Sequence, residues 1–110
     1  MRLPGAERAI VAPDKVRDYL LSPANPRARG KAQFFQALGF GPGNWEELRD
    51  ALMATARTES ASPGQNSEFG TKFEIRATLT GPAGREAVIK TVWIINAGDD
   101  CPRLVTAFPD

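Results

Sequence analysis

Lys72, Glu74 and Arg76 alternate along "KFEIRATLT", so a strand there would present two cations and a carboxylate on one face. Upstream, Arg27, Arg29 and Lys31 fall within five residues, just ahead of a helix-patterned run, and no acidic residue occurs between Asp18 and Glu46. Cations at a helix N-terminus are mildly unfavourable, by roughly 0.3–1 kcal/mol each when exposed. An anion would justify them. The free N–H groups of a helix starting near Gly30, which lets a ligand approach its backbone closely, would join Arg27, Arg29 and Lys31 in binding phosphate. The plainer reading is a solvated loop whose cations pair with Glu46, Glu47 or Asp50.

Lys90 and Arg103 lie on later strand-like runs. If they share the Lys72 face, the sheet carries cations around one carboxylate, a surface suited to an RNA backbone. Glu74 or Lys72 would take the proton of a 2′-hydroxyl, Lys72 and Arg103 would steady developing negative charge, and Thr106 would orient the substrate. Strand register decides whether the face is shared, and sequence does not specify it. An amphipathic sheet with one wet face is the alternative.

The remaining composition narrows the chemistry. The 110 residues contain no histidine, so the usual general base near neutral pH and every Ser/His or Cys/His nucleophile pair are excluded. One cysteine, Cys101, rules out an internal disulfide and a cysteine-based zinc site. Its neighbours Asp99 and Asp100 would raise its pKa, which makes it a poor nucleophile, and "GDD" reads as a turn before it reads as a Mg²⁺ site. No cofactor or metal is expected. A net charge of +1 argues against a protein that coats nucleic acid indiscriminately. The longest strongly apolar run, "VWII" (92–95), is far below the ~20 residues that span a bilayer. The N-terminus lacks a signal-peptide core, so the expected location is cytoplasmic, or delivery within a larger secreted protein.

The elements that would position these residues follow from periodicity. A chain of 110 residues supports one core and one domain. Residues 7–58 form its mainly helical half, with "ERAIV" (7–11) a short edge strand. Pro13 opens a helix carrying Val16, Tyr19 and Leu20 inward, and a second runs from Gly30 to Leu38 and ends at Gly39. Asn44 caps a third as a capping-box variant with Glu47, burying Trp45, Leu48, Leu52 and Thr55. Residues 59–68 read as a polar loop. Residues 69–109 read as antiparallel strands joined by the turn "GPAG" (81–84), the middle strand being apolar on both faces, as if covered on both. The fold class is α+β, with N-terminal helices packed on a three- to four-stranded antiparallel sheet. The aromatics fall at core spacing, apart from Tyr19 and Phe108, which could stack on a base.

Three blocks, "PDKVRDYLLSPANPRARGKAQFFQALGF" (13–40), "FGTKFEIRATLTGPAGREAVIKTVWII" (69–95) and "PRLVTAFP" (102–109), resemble a family of small bacterial domains of unknown function. The resemblance implies a stand-alone protein in a toxin–antitoxin setting, or a module of a polymorphic toxin. The order of helices and strands is also similar to the ribonuclease fold of barnase, the RelE toxins and the tRNA-cutting colicins. It implies a toxin-like, metal-independent ribonuclease acting on tRNA or mRNA, with a small antitoxin or immunity protein as partner and no membrane. Relatives carry His at the position of Asn25 and Tyr at that of Phe108. Those departures suit the alternative, a non-catalytic interaction module of such a pair or a degenerate toxin copy.

Overall fold

The computed structural model describes residues 1–22, 24 and 29–110, Arg29 by its backbone alone. Among them, a 3-10 turn (Ala6–Arg8), a π-helical segment (Asp14–Leu20) and helices α1 (Arg29–Ala37) and α2 (Trp45–Thr58) precede four strands. These are β1 (Ala61–Ser67), β2 (Gly70–Thr80), β3 (Glu86–Asn96) and β4 (Arg103–Pro109), an antiparallel meander in the order β1-β2-β3-β4. The α+β expectation holds.

The core lies between the helices and one sheet face. Phe73, Ile75, Ala77 and Leu79 of β2 alternate inward and pair across to Trp93, Thr91, Ile89 and Ala87 of β3. Val16, Leu20, Phe35, Leu38, Leu48 and Leu52 cover them at helical spacing. Thr91 is buried yet satisfied: it donates to the Ile75 carbonyl and accepts the Trp93 indole N–H at 2.9 Å. Gly81 closes the packing, because a Cβ there would overlap the Leu38 carbonyl at the end of α1.

Several expectations need correction. The supposed polar loop is strand β1. Its sequence, ASPGQNS, has low strand propensity, but pairing with β2 overrides this, and an edge strand tolerates Pro63 and the break in register between Pro63 and Asn66. "ERAIV" is no strand: Ala6–Arg8 turns, and only Ile10 bridges β4, in parallel, donating to the Pro102 carbonyl and accepting from Leu104 N–H. The segment after Pro13 is wider than an α-helix, and Leu21 N–H reaches back to the Val16 carbonyl. Asn44 stands at the N-cap of α2 but its side chain makes no capping hydrogen bond to that helix. Its Oδ1 accepts Gly41 N–H at 2.7 Å and its amide donates to the Gly39 carbonyl and to Glu47. Finally, no described element covers the outer face of β3, where Val88 is 36% exposed.

Candidate active site on the open sheet face

Register places the candidate residues. Side chains paired across antiparallel strands share a face, and those opposite the core side chains form three rows across β2, β3 and β4. The rows are Lys72–Ile94–Arg103, Glu74–Val92–Thr106 and Arg76–Lys90–Phe108. Lys72, Glu74, Arg103 and Thr106 therefore occupy two adjacent rows. With strands about 4.8 Å apart, the two ends of a row are roughly 10 Å apart at Cα.

A bulge makes Thr106 available. Pairing shifts between Val92 and Trp93, so that Trp93 faces Leu104, Val92 faces Thr106, and Val105 is the extra residue. Leu104 and Ala107 both stay buried while Thr106 is half-buried.

At Thr106 the helical half meets the sheet. The Lys31 ammonium of α1 donates to Thr106 Oγ1 at 2.9 Å and to the Tyr19 hydroxyl at 3.2 Å. The Tyr19 ring also has the Lys15 and Lys31 ammonium groups 5.2 and 5.1 Å from its centroid. The hydrogen bond from Lys31 holds the phenol below the ordinary tyrosine range; the charges of Lys31 and Lys15 act in the same direction and burial opposes them. Three elements thus converge on one polar cluster at the β4 edge. Tyr19 belongs to it through partners 12 and 87 positions away, a proximity that helical spacing alone does not reveal.

The other cations on the face are mostly paired. Lys90 lies 3.3 Å from Glu74, Arg76 binds Asp110, and Arg103 lies 3.6 Å from Asp99. Lys72 has no ion-pair or hydrogen-bond partner among the described residues and lines a cavity near the β1–β2 hairpin. That cavity includes neither Lys31 nor Arg103. Gly30 is exposed at the start of α1. Arg27, Asn25 and the side chain of Arg29 lie outside the described residues.

Asp99, Asp100 and Cys101 offer ligand atoms within 4.8 Å of one another. They are engaged as a turn: Asp99 accepts from the Cys101 thiol at 3.3 Å and from Asp100 N–H at 2.9 Å. The hydrogen bond to Asp99, then burial, raises the Cys101 thiol, while the bond from Cys101 and that from the Asp100 amide lower Asp99. No described helix is long and apolar enough to cross a membrane.

Residues 2–110 match the family described as a domain of unknown function, DUF6883. The chain belongs to that family. No curated protein matches it. Among solved structures, a chain of the contact-dependent growth inhibition toxin–immunity protein complex from Klebsiella pneumoniae 342 is similar, with TM-score 0.76 and 16% identity, over 96% of this chain and 97% of that one. At that identity the likeness is one of fold, and it extends over nearly the whole DUF6883 domain.

Proposed function

We propose that this chain is a toxin-type domain of a toxin–immunity pair that cleaves RNA phosphodiester bonds with its own side chains. The fold likeness to a chain of a growth-inhibition toxin–immunity complex supports the setting. The observation that carries the chemistry is the Lys31–Thr106 hydrogen bond, which ties a helix cation to the sheet row of Glu74.

An RNA strand lying on the open face would place a phosphate at Thr106, between Lys31 and Arg103. Glu74 would accept the 2′-hydroxyl proton as the 2′-oxygen bonds to phosphorus. The bond to the 5′-oxygen breaks, and the Tyr19 phenol would supply that oxygen with a proton. Lys31 and Arg103 would stabilise the charge on the non-bridging oxygens. The products are a 2′,3′-cyclic phosphate and a free 5′-hydroxyl.

The test is incubation of the purified chain with total RNA and with tRNA in EDTA, beside folded Lys31→Ala and Arg103→Ala variants. Cleavage by the wild type, reduced at least tenfold in each variant, supports the reading. Intact RNA at high protein concentration overturns it.

A second reading is an interaction module of such a pair. It draws on the half-exposed Val88, Val92 and Ile94 amid mutually paired charges, a surface that resembles a protein-docking face more than a polyanion track. Growth arrest on expression without a partner separates the two, since only the enzyme causes it.

A further inference from the structure

The cavity near the β1–β2 hairpin is not used by the chemistry above. It measures about 300 Å³ and is lined by Gln65, Asn66, Ser67, Gly70, Lys72 and Ile94. It adjoins the reacting rows, because Lys72 and Ile94 are two members of the row that ends at Arg103. Its size is at the lower end of small-ligand pockets, enough for roughly ten water volumes, so it exceeds a bare phosphate or a metal ion.

The lining has a definite hydrogen-bonding polarity. Asn66 Oδ1 accepts the Thr71 hydroxyl at 2.9 Å, and its NH₂ group has no acceptor among the described residues. Ser67 Oγ is occupied by the Gly70 carbonyl and Phe69 N–H. Lys72 and the Gln65 amide have no hydrogen-bond partner among the described residues. The break in β1 register between Pro63 and Asn66 shapes this edge, as bulges near functional sites do. Donors therefore outnumber acceptors, beside one apolar wall, Ile94. The carbonyl oxygens of guanine and uracil are acceptors that this lining can satisfy, with Lys72 suited to guanine O6 and N7; adenine offers ring nitrogens but no carbonyl.

We infer that this cavity is a base-recognition subsite that takes a guanine or uracil flanking the scissile phosphodiester, in preference to adenine. The inference rests on the ribonuclease reading for its setting. Lys72 and Asn66 would donate to the base carbonyls, Gln65 would supply the remaining edge contact, and Ile94 would pack against the ring. Sequence-specific RNA readers commonly hold splayed-out bases in this way.

Nitrogen-15 NMR spectra of the full chain, titrated with 3′-GMP, 3′-UMP, 3′-AMP and inorganic phosphate, test it. The expected result is perturbation at Gln65, Asn66, Lys72 and Ile94 by GMP or UMP, with AMP at least fivefold weaker. Asn66→Ala and Gln65→Ala should each weaken binding by about fivefold, the loss of one hydrogen bond. Silence at these residues, equal binding of AMP, or identical shifts from phosphate alone would overturn it. A cleavage arm separates this inference from the reading beneath it. If Asn66→Ala cuts RNA with unaltered base preference, the subsite is wrong and the nuclease stands. If the nucleotides bind here but no RNA is cut, the nuclease is wrong and the subsite stands.

Discussion

Replacing Lys31 by Met keeps a stem of similar length and removes only the ammonium. The two hydrogen bonds lost, to Thr106 and Tyr19, are at a part-buried position where water can partly replace them. Each is therefore worth the lower part of the usual range, about 0.5–1 kcal/mol. Loss of the Lys31–Tyr19 cation–π contact adds about 0.5 kcal/mol, for a total near 1.5–2.5 kcal/mol. At roughly 4 °C per kcal/mol for a domain slightly above 100 residues, the melting temperature should fall by about 6–10 °C.

The same variant carries a second readout. Tyr19 is the only tyrosine, so phenolate absorbance reports it without overlap. The wild-type midpoint should lie below the ordinary value of about 10, and Lys31→Met should move it upward. Because the folded midpoint is the lower one, this linkage contributes nothing below it. It grows as pH rises through it and is complete only above about 10, where the unfolded tyrosine ionises too. The stability gap between wild type and variant should thus widen on the alkaline side. An unchanged midpoint together with an unchanged melting temperature, in a variant with native circular dichroism, would show that Lys31 does not contact Tyr19 and would remove the cluster on which the mechanism is built.

Three further outcomes are expected. Gly81→Ala should destabilise by at least about 2 kcal/mol in urea unfolding, since its Cβ meets the Leu38 carbonyl, a backbone atom that cannot step aside cheaply; a loss below about 0.5 kcal/mol would contradict that contact. Thr91→Val should cost about 1–3 kcal/mol by leaving the buried Trp93 indole N–H unpaired, and a neutral result would mean the indole has another acceptor. Cys101 should react slowly with iodoacetamide at neutral pH, because its raised pKa keeps it as the thiol. Asp99→Asn should speed the reaction, and equal rates in the two proteins would show that Asp99 does not set the thiol's acidity.

Much of the architecture was readable from periodicity. The alternation of Phe73, Ile75, Ala77 and Leu79 gave β2 and its inner face, and Leu48, Leu52 and Thr55 gave the buried side of α2. β1 was not readable, because Pro63 and Gly64 signal a turn and the strand exists only through its neighbour. The same limit governs the site. Parity alone put Lys72, Glu74 and Arg76 together, but whether Lys90 and Arg103 joined them depended on a register that no local pattern encodes. Tyr19 stood out only as an aromatic that could lie inward or stack on a base. Its hydroxyl acquires meaning only through Lys31, a contact created by the docking of α1.

Leu104 and Ala107 are three positions apart, an odd interval that a regular strand would send to opposite sides. They share a side because Val105 is supernumerary. Loss of a single codon from this stretch would therefore be more damaging than most replacements: it would realign β4, and either the interior would lose an apolar plug or the hydroxyl opposite Val92 would be carried away from the lysine that holds it. The length of β4 cannot drift, so packing and chemistry here are inherited together.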